Sequence, residues 1–307
     1  MKYIKNTLEF QINEPTVVTL GKFDGLHRGH ELLMKEVVQY GKVNNLKTVA
    51  FTFDIPPKNK IEHMFGKVLT TNEEKQHIFE LAGIDYLIEC PFTEEVMCMK
   101  PKDFIAWISN SLSMKCVVVG TDFCFAHKRT GNFHTLQEYE QEFDYKTIVV
   151  SKMQEDNRDI SSTYVREEIA KGNIAKANHL LGYPYFVKSD VVHGNKIGRT
   201  IGIPTINMEL PLEKLLPPNG VYVTRVKIKD EEHIGVTNIG TKPTVSNLQT
   251  IGVETHIVGF SGDIYNKTVV VEFLEYIRPE KKFASLEELQ AQMQKDIAYA
   301  KSSSKSI

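Results

Sequence analysis

The spacing of apolar residues changes once along this chain, near Gly182, and that change limits the folds open to it. Before it, short apolar runs alternate with stretches whose apolar residues recur every three or four positions. "TVVTL", Thr16 to Leu20, leads into a stretch where Leu32, Leu33, Val37 and Val38 keep helical spacing. "KTVAFTF", "IDYLIEC" and "KCVVVG" are further strands, and "NEEKQHIFELAG" and "PKDFIAWISNSL" are helices, the latter with Phe104, Trp107 and Ile108 on one face. Such alternation predicts an α/β domain, a parallel sheet with helices on both faces. From Tyr185 to Ile277 the apolar pieces are short and rich in Val, Ile and Thr, as in "YFVKSDVV", "GVYVTRVKI", "GVETHIVGF" and "KTVVVEFLEYI". Gly, Pro and Asn separate them, which predicts an antiparallel barrel or sandwich. A last helix, "SLEELQAQMQKDIAYAK", opens with Ser285 and Glu288 at capping-box spacing, and the tail "SSSKSI" is expected to fray. A chain of 307 residues is long for one core. We therefore expect two domains, residues 1–183 and 184–307, each of a size that folds alone.

A parallel sheet binds ligands beyond the carboxyl ends of its strands, where Gly21, Asp54 and Gly120 each follow an apolar run. In "GKFDGLHRGH" a glycine-rich turn opens a helix, and free N–H groups with the helix dipole suit an anion. His27 and His30 can donate to a phosphoryl group there, and Gly25 and Gly29 leave space for a triphosphate. Read alone the pattern is weak, because a pair of surface histidines beside a turn looks the same. "ISSTYVREEI" repeats the chemistry: Ser161, Ser162 and Thr163 precede a helix with Arg166 in its first turn. An ordinary cap with a solvated arginine is the plain alternative.

The second dense stretch is "VVHGNKIGRTIGIPTINM". Gly194, Gly198 and Gly202 let backbone approach phosphate, and Lys196 and Arg199 bring charge. The P-loop pattern GxxxxGK[ST] is absent. Thr205 and Asn207, two apart in an extended segment, share a face, and their neutral oxygens can share a hydrated Mg²⁺ with ATP phosphates. A glycine-rich hairpin with polar residues at its exit fits the spacing equally well. Glu254 in "GVETHIV" is the local candidate for a general base toward a primary alcohol, with His256 on the same face. The ordinary alternative is a charged pair on a solvated strand face.

Net charge is -2, so nothing draws the chain in bulk toward nucleic acid or an anionic membrane. "MKYIKNTLEFQINEP" lacks the apolar run of a secretory leader, and no apolar stretch reaches the length of a membrane-spanning helix. Cys90, Cys98, Cys116 and Cys124 show no metal-site spacing and are expected as reduced thiols in a cytoplasmic protein.

"GKFDGLHRGH" followed downstream by "ISSTYVR" resembles the nucleotidyltransferases that carry HxGH and ISSTxxR signatures. With "LTTNEEK", "GTDFCFAHKRTG" and "ISSTYVREEIAKGNIAKANHLLGYPY" the match is similar to the adenylylating module of prokaryotic FAD synthetases. That resemblance implies a Rossmann-like domain that moves AMP from ATP to FMN and releases pyrophosphate, with Mg²⁺ as cofactor. It implies that His27 and His30 polarise the ATP phosphates and that Ser162, Thr163 and Arg166 hold the triphosphate. Gly21, Phe23, Asp24, Gly25 and Gly29 would line the nucleotide and flavin cleft. The series "GRTIGIPTIN", "PPNGVYVTRV", "GVTNIGTKPT", "VETHI" and "RPEKKFASLEELQAQMQKDI" resembles the riboflavin kinase barrel. Here the implied roles are Mg²⁺–ATP for Thr205 and Asn207 and activation of the ribityl hydroxyl for Glu254. The loop carrying Gly194, Lys196, Gly198 and Gly202 would cover the phosphates, and Arg278 would help close the flavin site.

Together the two modules resemble the bifunctional riboflavin kinase/FMN adenylyltransferases, whose substrates would be riboflavin, FMN and ATP. Three places depart from that pattern: "FTFDIPP" replaces a TFxPHP-like turn, Ala126 stands where glycine is usual, and Gly259 stands where aspartate is common. The contrasting readings are a chain with one active half, or a flavin- or nucleotide-binding regulator, which would have no need of a base such as Glu254.

Overall fold

A computed structural model describes residues 1–54, 67–194, 197–242 and 250–303. The "IPP" of "FTFDIPP", Lys196 and the last four residues of the tail lie outside that range. The chain divides into two compact units, Met1–Ser162 and Thr163–Ile307.

The first unit runs β1 (Lys2–Lys5), β2 (Thr16–Leu20), α1 (Arg28–Asn44), β3 (Lys47–Asp54), α2 (Asn72–Leu81), β4 (Tyr86–Pro91) and α3 (Glu94–Cys98). It continues with α4 (Pro101–Leu112), β5 (Met114–Gly120), the small ribbon of β6 (Cys124–Phe125) and β7 (Gly131–Asn132), then α5 (Phe133–Glu138) and α6 (Glu140–Phe143). β8 (Lys146–Val150) and a second ribbon, β9 (Gln154–Glu155) with β10 (Arg158–Asp159), complete it. Six strands form one sheet in the order β1-β4-β3-β2-β5-β8, every pair parallel. All five residues of β2 are buried, as a central strand covered on both faces requires. Successive residues serve opposite cores: Val17 packs with Leu33, Met34 and Val37 of α1 and Phe79 of α2, and Val18 with Phe104, Ile105 and Ile108 of α4. On the α4 side Trp107 sits 5.4–6.0 Å, centroid to centroid, from Phe10, Phe51 and Phe104. The chain leaves β2 toward β3 on one side, and β5 returns on the other, so the loop after β2 lies at the reversal of strand order. That crevice is where doubly wound sheets bind ligands.

The second unit opens with α7 (Ser162–Ala170), whose first residue is the last of the first unit, and α8 (Ile174–Leu181). β11 (Phe186–Val192), the helical turn α9 (Ile197–Thr200), β12 (Ile206–Met208), β13 (Gly220–Ile228), β14 (Glu231–Lys242), β15 (Thr250–Ile257), β16 (Thr268–Arg278) and α10 (Leu286–Ser303) follow. The strands close into an antiparallel barrel, β11-β12-β15-β14-β13-β16, which decides between barrel and sandwich. Inside it the fully buried hydroxyls of Thr224, Thr237 and Thr255 bond in series at 2.8 Å, so three polar side chains are satisfied in the interior. Outside it α10 covers Val221, Val223 and Val236 with Ile297 and Ala300. Ser285 accepts from the Glu288 N–H at 3.2 Å, and the Glu288 carboxylate reaches back to the Ala284 N–H at 3.1 Å, one residue before the expected partner. The first two residues of the expected frayed tail belong to this helix.

Candidate functional site

His27 is the N-cap of α1 but makes no side-chain capping bond. Its ring instead folds back over the first turn and stacks on His30, centroids 3.9 Å apart and planes 26° from parallel. Gly29 permits this, because a Cβ there would lie 3.2 Å from His27 Cε1 and Nδ1. Phe23 closes the other side, its ring edge-on to His30 and to Phe79. Gly21 leaves room for that ring, since a Cβ would fall 2.9 Å from it. Gly25 has φ +81 and would strike Leu69. These glycines therefore serve the protein's own packing, most strictly at Gly25, a reason the spacing alone does not reveal.

Burial holds the His27 imidazole down to about 4, against the opposing pull of Asp122 and Asp24. Burial and then its neighbour His27 hold His30 well below the usual imidazole range. Both rings are neutral at neutral pH, and the Nδ1 of each is buried without a hydrogen-bond partner. An unsatisfied buried nitrogen is costly, so each ring keeps a polar atom that an outside group could satisfy. Asp122, just past β5, is a charged neighbour of His27 that sequence reasoning missed; its only signal is an acid following "KCVVVG". Its carboxylate pairs with Lys152 at 3.3 Å.

Other expected residues have internal partners. Asp24 is buried and accepts from the N–H groups of Leu69 and Thr70, at 2.8 and 3.2 Å. Ser162 donates to the Asp24 carbonyl at 2.6 Å, tying the second serine-rich signature to the histidine loop. Thr163 and Arg166 stand further along α7 and count with the second unit.

In the barrel, strand register brings three polar residues into one row. Asn207 of β12 faces Glu254 of β15, which faces Asn238 of β14. Directly opposed residues hold their Cβ atoms about 5 Å apart on one face, so Asn238 joins two residues singled out separately from the sequence. Its place in the row depends on strand register, which the sequence does not display. Asn207 is buried against Gly194, where a Cβ would come 2.2 Å from its Nδ2. Gly198 makes room for the Ile203 carbonyl in the same way, and Gly202 has φ +73. His256 is not a partner of Glu254: its Nδ1 donates to the Pro204 carbonyl at 2.8 Å. Arg278 grips Asp296 of α10 through Nε and Nη2, the latter at 2.7 Å, so it holds the terminal helix to the barrel.

Thr205 lines a cavity of about 360 Å³ together with Arg199, Thr255, Asp263 and Tyr265. Arg199 donates to the Tyr265 hydroxyl at 3.0 Å, and His193 packs on the Tyr265 ring. Among the described residues no group of three or more His, Cys, Asp or Glu side chains could hold a metal ion. The hydroxyl of Thr205 and the amide of Asn207 are neutral donors, the kind that suits a hydrated Mg²⁺ already balanced by phosphates.

Comparison with known proteins agrees with this division. Residues 9–164 match the family model described as FAD synthetase, and residues 181–304 that described as riboflavin kinase. Curated relatives named bifunctional riboflavin kinase/FMN adenylyltransferase include one from Haemophilus influenzae, 37% identical over 92% of each chain. One from Listeria monocytogenes is 34% identical over 91% of this chain and 90% of its own, and one from Escherichia coli K12 is 35% identical over 92% and 91%. A crystal structure named as a macrolide-efflux protein from Streptococcus pneumoniae shares the fold, with a TM-score of 0.85 and 30% identity over 98% of this chain and 99% of its own. No described helix here is long and apolar enough to cross a membrane.

Proposed function

Because this chain belongs to the bifunctional riboflavin kinase/FMN adenylyltransferase family, we propose that it makes FMN in its barrel and FAD in its α/β unit. In the barrel the 5′-hydroxyl of riboflavin attacks the γ-phosphorus of ATP, the bond to the β-bridging oxygen breaks, and ADP leaves. Glu254 takes the hydroxyl proton, a task suited to a carboxylate. Thr205 and Asn207 would hold the Mg²⁺ that enters with ATP, an ion that supplies shielding of phosphate charge. In the α/β unit a phosphate oxygen of FMN attacks the α-phosphorus of a second ATP, and pyrophosphate leaves. No protein nucleophile is needed there. Neutral His27 and His30 act as hydrogen-bond donors to phosphate oxygens at the start of α1, where charge rises in the transition state. We assign the protein to the cytoplasm, with small molecules rather than nucleic acid as its partners.

One observation carries the adenylylating half: two stacked, neutral imidazoles with unpartnered Nδ1 atoms at the strand-order reversal. The test is to incubate the pure protein with riboflavin, ATP and Mg²⁺ and to separate the flavins. The wild type yields FMN and then FAD. His30→Ala should stop at FMN, with FAD formation down a hundredfold or more, about 3 kcal/mol for one lost donor to a developing charge. Glu254→Gln should slow FMN formation by roughly 10²–10⁴-fold, the range for a lost general base. FAD made by His30→Ala at the wild-type rate would remove that histidine from the reaction.

A further inference from the structure

Glu89 of β4 is 1% exposed, yet three side chains are aimed at it. Tyr3 of β1 and Asn72 donate to its Oε1 at 3.2 and 2.7 Å, and Lys75 of α2 approaches Oε2 at 3.5 Å. The second hydrogen of the Asn72 amide points to Asp54 Oδ1, 3.5 Å away at the end of β3. One amide is thus shared by two carboxylates, from the carboxyl ends of neighbouring strands. Asn72 is also the first residue of α2, directly after Thr71, whose hydroxyl and N–H complete a capping box with Glu74. The preceding turn, residues 69–71, holds the histidine loop: Leu69 and Thr70 N–H groups bond the Asp24 carboxylate, and the Gly25 N–H donates to the Thr70 hydroxyl at 3.1 Å.

We propose that Asn72 is a positioning residue for adenylyl transfer: anchored between Glu89 and Asp54, it fixes the 69–71 turn that sets Asp24 and Gly25, and with them His27. The inference rests on the adenylylating role given to that loop. The amide is chemically specific here, since it donates to two facing acceptors with two hydrogens and adds no charge. A carboxylate in its place would confront both.

Three variants of the full chain test it, each assayed for riboflavin phosphorylation and, separately, for FAD formation from FMN. Asn72 is exposed on its outer side, so Asn72→Ala should fold with an unfolding temperature near that of the wild type. It should weaken ATP binding to the first unit and lower kcat/KM for FAD formation about tenfold, the scale of a small misplacement of reacting groups. Riboflavin phosphorylation in the same molecules should not change. Asn72→Asp separates positioning from helix stability. Aspartate at a helix start favours the helix, so a structural role predicts full activity. Positioning predicts a variant worse than Asn72→Ala at pH 8 that recovers toward pH 6 as one carboxyl group takes a proton. The groups facing that point are Tyr3, Asp54, Glu73, Lys75 and Glu89. Asn72→Asp with wild-type FAD synthesis at pH 8 would overturn the proposal, as would equal losses in both activities of Asn72→Ala. His30→Ala, run alongside, keeps the outcomes apart. If it loses FAD synthesis while Asn72→Ala does not, only the positioning role fails. If it keeps FAD synthesis, the role of the loop itself is at fault.

Discussion

At Gly29 any Cβ would press on the His27 ring that lies across it, and the neutrality of that histidine has a pH consequence. Burial lowers its pKa from 6.5 to about 4. The unfolded chain therefore takes up the proton first as pH falls, so this group's contribution is fully present above about pH 6.5 and is lost by about pH 4. The full loss is about 3 kcal/mol. We expect urea unfolding to show a steeper fall in stability across that window for the wild type than for His27→Asn. We also expect no titration near pH 6.5 in the FAD-forming rate that disappears in this variant. Ala126 carries a different strain. It has φ 64 and ψ -175, a region that only glycine occupies freely, with Lys128 and Arg129 also at positive φ just after it. Ala126→Gly should raise stability by about 1 kcal/mol, read as a higher urea midpoint; an unchanged or lower midpoint would refute the strain. The residues of the two signatures were legible because their chemistry is local. Asp122, Asn238 and Asn72 were not, because each acts through a partner from another strand or loop.

At the scale of elements, the terminal helix is fixed by one buried charge pair and a few long-range bonds. Arg278 ends β16 and is gripped by Asp296, which is 3% exposed; Gln290 donates to the Ile201 carbonyl at 2.8 Å, joining α10 to the loop before β12. Removing one partner of a buried pair leaves the other uncompensated. Because the Arg278 side chain is 21% exposed, water moderates the loss, and we expect Asp296→Ala to cost about 2 kcal/mol. Hydrogen exchange should quicken along α10, and riboflavin phosphorylation should fall while FAD formation from FMN holds. Unchanged exchange would show that the helix is held by its apolar face alone. Periodicity made nearly all the long elements readable. It missed β1, four residues with two lysines, the five-residue β8, the short helices α3, α5 and α6, and the two-residue ribbons, since runs that short carry little period. The choice of barrel over sandwich depends on the pairing of β11 with both β12 and β16, which no single strand sequence encodes.

At the scale of the molecule, composition changes near Gly182, yet the compact unit that holds the barrel begins at Thr163. The reason is packing: α8 buries Ile174, Ala177, Leu180 and Leu181, and Asn178 donates to the Phe273 carbonyl and accepts from the Tyr185 N–H. Strand character starts at β11, so a reading of residue types sees only the later break. Each large apolar side chain kept from water contributes about 1.5–3 kcal/mol. A fragment of residues 163–307 should therefore unfold at clearly higher urea than one of residues 184–307, and equal midpoints would show that α8 is dispensable. Both fragments contain Thr205, Asn207 and Glu254, so riboflavin phosphorylation should survive in whichever is folded. The aromatic cluster around Trp107 gives the intact chain a further property. It holds the sole tryptophan of the sequence, and it belongs to the first unit. Light absorbed at the red edge of the ultraviolet band is therefore re-emitted from that unit alone, while the barrel, with tyrosine and phenylalanine only, stays dark. Fluorescence thus follows the opening of one unit in the presence of the other, with no dye attached.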